Sequence, residues 1–158
     1  RHVVPVTKHH DGYTLWPSAV ENPLRGRWSP PRDVVGELAA ASRARGMRFG
    51  VYYSGGLDWT FDPRPVRNLG EMLASMPTSA EYRRHVLAHY GELIERYDPD
   101  VLWNDIGYPN ADDLWGLLAG YYQGREDRAV NDRFGPAGPL QAKWTRPTGL
   151  PGVAPPGP

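Results

Sequence analysis

The sequence predicts an α/β fold with a parallel sheet, and three observations lead to that prediction. Short apolar runs alternate with segments whose apolar residues recur every three or four positions, the pattern of strands followed by helices. Strands connected through helices form parallel sheets with right-handed crossovers. No Gly-x-Gly-x-x-Gly follows any apolar run, which disfavours a dinucleotide-binding sheet. The pattern therefore favours part of a (β/α)8 TIM-like barrel.

The first strand-helix unit begins with His2-Val3-Val4-Pro5-Val6-Thr7, a β-branched run too short for a helix. The first helix is expected to begin after Asp33, a favourable N-cap residue behind Pro30-Pro31, and to end at Gly46. The residues expected on its apolar face are Val34, Val35, Leu38 and Ala41.

The second unit has its strand at residues 47–53, which end in Ser54-Gly55-Gly56. After a long loop, Thr78 and Glu81 have the spacing of a capping box and predict the start of the second helix. The apolar residues that recur at helical spacing in this segment are Tyr82, Val86, Tyr90, Leu93, Ile94 and Tyr97.

A third strand is predicted at 101–104, a third helix at 112–123 and a candidate fourth strand at 128–131. About four such units make half of a barrel, since a whole one needs about 250 residues. Residues 1–135 are therefore expected to be a fragment of a barrel. Residues 136–158 are rich in Pro and Gly and are expected to form an irregular tail. Because the chain starts at Arg1 rather than Met, we expect a fragment or a processed product.

Composition excludes several classes of function. The 18 basic and 18 acidic side chains cancel, so no electrostatic attraction favours nucleic acid or an anionic membrane surface. Without cysteine the chain can form neither disulfides nor thiolate zinc sites. No apolar run approaches the roughly 20 residues that span a bilayer. A neutral substrate fits this balance best, with no nucleic acid or membrane partner.

Asp105 is the first candidate for a functional side chain, because it ends an apolar run at a predicted strand-to-loop junction. Its neighbours include Leu102, Trp103 and Ile106, and burying a carboxylate among such residues needs a compensating reason. The alternative is that Asp105 merely caps a loop, as Asp often does. In a parallel barrel the carboxyl ends of the strands form the active site, which favours the functional interpretation.

His9 and His10 follow the first apolar run and suit hydrogen bonds to sugar hydroxyls, with a structural role as the alternative. A zinc site is disfavoured because adjacent residues on a strand point to opposite faces. Arg133 either pairs with a carboxylate or stays solvated. Four aromatic residues near the strand ends either pack in the core or stack on a sugar, and these are Trp16, Tyr52, Tyr53 and Trp59.

Four segments together resemble the α-L-fucosidases of glycoside hydrolase family 29, in order and in spacing. The first is Lys8-His9-His10-Asp11-Gly12-Tyr13, and the second is the stretch 50–59, which contains Tyr-Tyr-Ser-Gly-Gly. The third, 99–109, contains Trp-Asn-Asp, and the fourth, 130–133, contains Asn-Asp-Arg. A chance match of four segments in register over about 135 residues is improbable.

The resemblance implies a retaining exo-glycosidase that releases L-fucose from fucosylated oligosaccharides or glycoconjugates, without a metal or an organic cofactor. It implies that Asp105 is the nucleophile. The tryptophans are expected to add apolar surface for the sugar. The residues expected to contact fucose are His9, His10, Tyr52, Trp59, Trp103 and Arg133.

One departure from the family pattern bears on activity. The family's acid/base Glu follows the Asn-Asp-Arg block, within a segment like Asp-Phe-x-Thr-x-Glu-Tyr, but no acidic residue follows Asp132 in this chain. We therefore expect a truncated fucosidase-like fragment that lacks the acid/base Glu and is inactive alone. The alternative is a catalytically inactive fucose-binding remnant or a non-functional fragment.

Overall fold

The computed structural model describes residues 1–123 and 125–135, and these form a parallel sheet whose strands, apart from the first two, are separated by helices. The strands are β1 His2–Val3, β2 Val6–Lys8, β3 Arg48–Ser54, β4 Val101–Asp105 and β5 Ala129–Val130. In the sheet, β1 and β2 both pair with β3, β3 pairs with β4, and β4 pairs with β5, all in parallel. The helices are α1 Val34–Arg43, α2 Leu69–Ala74, α3 Ala80–Tyr97, α4 Ala111–Tyr122 and a 3-10 turn at Asp132–Phe134. The predicted α/β fold with a parallel sheet is confirmed. The predicted tail at 136–158 lies outside the described residues.

The first strand differs from its prediction, because the run at residues 2–7 is divided into β1 and β2. Pro5 lies between them and has no N–H to donate to a ladder. Its carbonyl still accepts a hydrogen bond from the Tyr52 amide at 2.9 Å. The register against β3 also shifts between Val6 and Lys8.

Helix α1 begins as predicted, since the Asp33 carboxylate accepts a hydrogen bond from the Gly36 amide at 2.9 Å. Its predicted apolar face is partly wrong, because Val34 and Leu38 are 40% and 37% exposed. Two adjacent stripes on this helix have equally good helical spacing, so periodicity alone cannot choose between them. The residues that α1 buries are Val35, Ala39 and Ser42.

Helix α3 begins one residue later than a capping box at Thr78 requires. The N-cap is Ser79, whose hydroxyl accepts a hydrogen bond from the Tyr82 amide at 3.1 Å. Helix α2 was not predicted; it has only six residues, and none of its side chains is buried. The buried residues of α3 are Tyr82, His85, Val86, His89, Tyr90, Leu93 and Tyr97.

The core lies between β3, β4 and the helices, and much of it is aromatic. Trp16 and Tyr53 are fully buried, so these two aromatic residues pack in the core and do not line a site. Two of the buried tyrosines have paired hydroxyls, as Tyr82 donates to the Gly55 carbonyl and Tyr90 to the Asn104 side chain, whereas the buried Tyr108 hydroxyl has no partner among the described residues. This packing places the ends of β3 and β4 side by side, with Ser54 opposite Asp105.

Candidate active site

Asp105 is the last residue of β4, and its mostly buried carboxylate is held on both oxygens. The Tyr52 hydroxyl donates a hydrogen bond to Oδ2 at 2.7 Å. The Arg133 guanidinium lies 2.9 Å from Oδ1, which also accepts from the Ile106 amide at 2.9 Å. Three donors from three segments therefore fix the orientation of this carboxylate.

Tyr52 acts as a neutral donor in this arrangement. Burial raises the pKa of its hydroxyl, and the hydrogen bond to Asp105 raises the pKa further. Its side chain comes from β3, where Tyr52 lies opposite Trp103 of β4. Asp105 is two residues after Trp103, so the Tyr52 and Asp105 side chains lie on the same face of the sheet. The proton between Tyr52 and Asp105 therefore stays on the tyrosine at ordinary pH.

Arg133 comes from the 3-10 turn that follows β5, and it pairs with Asp105 although half of its side chain is exposed. The sequence left two alternatives open for this residue, an ion pair or a solvated side chain, and the structure shows the ion pair. An arginine in this position neutralises the carboxylate on the side that faces solvent.

His9 and His10 do not point to opposite faces, which corrects the expectation from strand geometry. Strand β2 ends at Lys8, so the alternation of side chains stops before the two histidines. Their rings lie 4.0 Å apart, and the His9 ring is stacked over Tyr52 with 6.1 Å between centroids. Both histidines therefore face the same space as the Tyr52–Asp105 pair.

The His10 ring is oriented by a hydrogen bond between its Nδ1 and the Oγ of Ser54, which are 2.6 Å apart. Burial, helped by the nearby positive charges of His9 and Lys8, lowers the pKa of His10 to about 4. The ring is therefore neutral above about pH 5, with Nε2 left for another partner.

Trp59 and Trp103 are the two partly exposed indoles beside these groups, with 47% and 41% of their surface accessible. The Trp59 ring meets His10 edge to face at 5.8 Å. Trp103 lines a cavity of about 320 Å³ together with Val4, Val6, Tyr52 and Arg133. This volume is at the lower end of the range for small-molecule pockets.

A buried ion pair between Lys8 and Asp58 joins the end of β2 to the loop after β3, and no pattern in the sequence predicts it. The Lys8 ammonium lies 2.8 Å from the Asp58 carboxylate, and both side chains are fully buried. It also donates to the carbonyls of Ser54 at 2.9 Å and Leu57 at 3.2 Å. Gly12 has a φ of +76°, and a Cβ there would come within 2.7 Å of Asp58. Charged residues are normally exposed, so neither partner stands out before the fold is known.

The substitution Lys8→Met is expected to lower the free energy of unfolding by about 3–5 kcal/mol, because it leaves the Asp58 carboxylate buried without its partner. Urea unfolding followed by tryptophan fluorescence measures the change. Arg32→Met is the matched control, since Arg32 forms an exposed ion pair with Glu37 and its loss should leave the unfolding midpoint unchanged. Equal midpoints for the two variants would contradict the expectation, whereas a Lys8→Met chain already unfolded without urea would agree with it.

Within residues 1–123 and 125–135, no group of three or more His, Cys, Asp or Glu side chains could hold a metal ion. Among the helices in the same part of the chain, none is long and apolar enough to cross a membrane.

Comparison with known proteins gives consistent matches. The sequence model of the family described as Alpha-L-fucosidase matches residues 1–145. The tissue alpha-L-fucosidase of Bos taurus is 35% identical over 146 residues, covering 85% of this chain and 29% of that protein.

Solved structures agree. The crystal structure of Thermotoga maritima alpha-fucosidase in complex with fucose has 43% sequence identity and a TM-score of 0.78, covering 85% of this chain and 32% of that one. A Thermotoga maritima alpha-L-fucosynthase in complex with alpha-L-Fuc-(1-2)-beta-L-Fuc-N3 also has a TM-score of 0.78, with 42% identity, covering 85% of this chain and 31% of that one. The chain thus spans about a third of the length of these relatives.

Proposed function

The chain belongs to the α-L-fucosidase family, and we propose that residues 1–135 carry the nucleophile side of a retaining fucosidase site. The observation that supports this most directly is the Asp105 carboxylate, held between Tyr52 and Arg133 at the carboxyl end of a parallel sheet. A carboxylate nucleophile must be oriented below the anomeric carbon and kept charged by its neighbours. Hydrogen bonds on both oxygens meet the first requirement, and the guanidinium places a positive charge 2.9 Å from one carboxylate oxygen.

Residues 1–135 are further proposed to be part of a (β/α)8 barrel. From β2 onward the strands lie in the sheet in the order of the chain, as successive barrel strands do, whereas a doubly wound sheet reverses its order. Asp105, His9 and Arg133 all lie at or just after the carboxyl ends of strands, which is where barrel enzymes place their sites. The exposed Val6 and Trp103 side chains lie on the face that would line the interior of a barrel.

The proposed substrate is an α-linked fucosyl residue at the end of an oligosaccharide or glycoconjugate. Its fit rests on the neutral His10 imidazole and on His9, whose ring nitrogens can hydrogen-bond to hydroxyl groups. The apolar surfaces of Tyr52, Trp59 and Trp103 suit the methyl group and the ring edge of fucose. That the Thermotoga relative was crystallised with fucose supports the same choice of sugar.

Retaining hydrolysis needs two carboxyl groups about 5–5.5 Å apart, one as the nucleophile and one as the acid and then the base. Asp105 takes the first role. A carboxylate oxygen attacks the anomeric carbon, the bond to the leaving oxygen breaks, and a fucosyl ester forms. The second role has no candidate after Asp132, because no Asp or Glu follows it. We therefore propose that the chain forms the ester only when the leaving group departs without a proton.

A fucosyl fluoride in which one further fluorine replaces the hydroxyl at C2 tests this proposal. The fluoride at C1 leaves without a proton, and the fluorine at C2 slows hydrolysis of the ester. Intact-mass spectrometry should show one added fluorofucosyl group, located by peptide mapping on Asp105. Asp105→Asn should not be labelled. Asp112→Asn, an exposed position on α4, serves as the matched control and should be labelled like the parent chain.

The second candidate function is fucose binding without catalysis, which the missing acid/base residue favours. It predicts that L-fucose binds saturably, seen as a change in tryptophan emission, while the fluoride leaves no adduct. Labelling at any carboxylate other than Asp105 would contradict both candidates. Turnover of an unactivated methyl fucoside by the chain alone would show that the acid role is filled by another residue.

A further inference from the structure

Asn104 immediately precedes the proposed nucleophile, but its side chain is fully buried on the opposite face of β4. Its amide nitrogen donates to the carbonyl of Gly107 at 2.7 Å and to the carbonyl of Arg133 at 2.9 Å. Its amide oxygen accepts from the Tyr90 hydroxyl at 2.7 Å. One side chain therefore uses both amide protons and one acceptor site within the core.

The two carbonyls belong to the two segments that must meet at the site. Gly107 lies in the loop directly after Asp105, and Arg133 supplies the guanidinium on the carboxylate. A main-chain hydrogen bond from the Gly107 amide to the Arg133 carbonyl, at 3.2 Å, joins the same segments. Asn104 thus clamps the loop after β4 to the turn after β5.

This loop needs such support because its backbone is strained. Ile106 has a φ of +63°, in the left-handed region that β-branched residues strongly avoid. Such conformations persist only where the surroundings hold them in place. The side-chain amide of Asn104 donates to the carbonyl of Gly107, the residue after Ile106. This bond helps to keep Ile106 in the conformation in which its N–H donates to the Asp105 carboxylate.

Other residues hold Asn104 itself. The Asn131 side chain accepts a hydrogen bond from the backbone N–H of Asn104 at 3.0 Å and donates one to the backbone carbonyl of Asn104 at 2.9 Å. These two bonds join β4 to the end of β5. The Asn104 side chain packs tightly on the next loop, since a Cβ on Gly55 would lie 2.3 Å from its Oδ1. The carbonyls of Gly107 and Arg133 fix which end of the side-chain amide is the nitrogen, because carbonyls can only accept, and the oxygen is then left to accept from Tyr90.

We propose that Asn104, oriented by Tyr90, is a positioning residue that holds Arg133 against the Asp105 nucleophile through their backbone segments. This inference rests on the proposed function. It assigns a role in the reaction to a residue pair that touches neither the sugar nor the carboxylate.

The test measures how fast the 2-fluoro fucosyl fluoride described above labels the chain. Asn104→Asp keeps the shape of the side chain and removes both donated hydrogen bonds, and Tyr90→Phe removes the orienting hydroxyl without adding charge. The labelling rate constant at saturating reagent should fall by about 100-fold in Asn104→Asp and by about tenfold in Tyr90→Phe. The half-saturating concentration should change little, because contacts with the sugar remain.

Tyr97→Phe is the matched control, since Tyr97 is a buried tyrosine of the same helix whose hydroxyl donates to Asp33, remote from the site. Its rate constant, corrected for the folded fraction by circular dichroism, should equal that of the parent chain. The inference is overturned if Tyr90→Phe behaves like Tyr97→Phe. Should Asn104→Asp not fold, the Tyr90→Phe comparison decides alone.

A parent chain that is folded but unlabelled would refute the proposed function and not the positioning role. Nitrogen-15 spectra of arginine side chains then test the role directly, with the Arg133 signal assigned through Arg133→Lys. In the parent chain this signal should be protected from proton exchange by the pair with Asp105, and in Tyr90→Phe it should exchange faster. Identical exchange in both would overturn the inference.

Discussion

Sodium azide is expected to restore steady release of an activated nitrophenol from its α-L-fucoside, raising the rate by about 100-fold over the chain without azide. In the proposed function Asp105 is the nucleophile, and no acidic residue follows Asp132 in this chain, so the fucosyl ester should form and then persist. Azide needs no general base. It attacks the anomeric carbon, the bond to the Asp105 oxygen breaks, and the carboxylate is regenerated. Absorbance of the released phenolate measures the rate.

The stereochemistry of the product provides the control for this prediction. With Asp105 present, two successive inversions give α-fucosyl azide, whereas Asp105→Gly leaves space for azide to attack directly and give the β-anomer. Proton NMR distinguishes the two. If azide has no effect on a folded chain that is labelled by the fluoride, the ester is being hydrolysed by a base that we have not identified. The β-anomer from the parent chain would mean that Asp105 is not the nucleophile.

The free energy of unfolding is expected to fall steeply as the pH drops from about 6.5 towards 4, because of two buried histidines on α3. His85 and His89 lie with their rings 4.2 Å apart and are almost completely buried. Burial lowers the pKa of His85 to about 4 and that of His89 well below its usual value, and the nearby Lys8 charge adds to both effects. In the unfolded chain the histidines have an ordinary pKa near 6.5. Between about pH 6.5 and 4 the unfolded chain therefore binds more protons than the folded chain.

The sign follows from this difference. The stabilisation is complete above about pH 6.5 and is lost as the pH falls towards 4, by up to about 3 kcal/mol per pH unit for the two histidines together. Carboxylates with lowered pKa values, such as Asp100, lose their stabilising effect only at lower pH. The change in stability between about pH 6.5 and 4 is therefore expected to come mainly from the histidines. Urea unfolding at pH 7, 6 and 5 measures the slope.

The double variant His85→Gln with His89→Gln should flatten this slope, and His2→Gln, at an exposed position, should not change it. His10 should leave a smaller residual slope, since its pKa is also lowered to about 4 but it is a single histidine. A parent chain equally stable at pH 7 and pH 5 would contradict the expectation.

The sequence predicted the features that depend on local chemistry. Asp33 caps α1 as expected, since an N-cap needs only a short polar side chain and the amides that follow it. The strands at 101–104 and 47–53 were found within one residue, because a short apolar run between turn residues has few other structures. The family was also predicted correctly, from four short segments whose spacing is preserved.

The features that the sequence did not reveal depend on contacts between distant residues. Lys8 and Asp58 are 50 positions apart, and only the parallel pairing of β2 with β3 brings them together. Asn104 looks like an ordinary polar residue beside Asp105, and its role depends on a carbonyl 29 positions away. The roles of His9, His10, Tyr52, Trp59, Trp103 and Arg133 in binding fucose remain predictions, although the structure brings these side chains around Asp105.

The Lys8–Asp58 pair also restricts how relatives of this chain can diversify. The loops after β2 and β3 are joined by Lys8, by Gly12 and by a main-chain hydrogen bond from Trp59 to His10 at 2.7 Å. An insertion in either loop would break these contacts together, so length variation there should be selected against. Residues 63–67 are exposed and take no part in these contacts, so we expect insertions near the proposed site to be tolerated in this segment more readily than in the loops after β2 and β3.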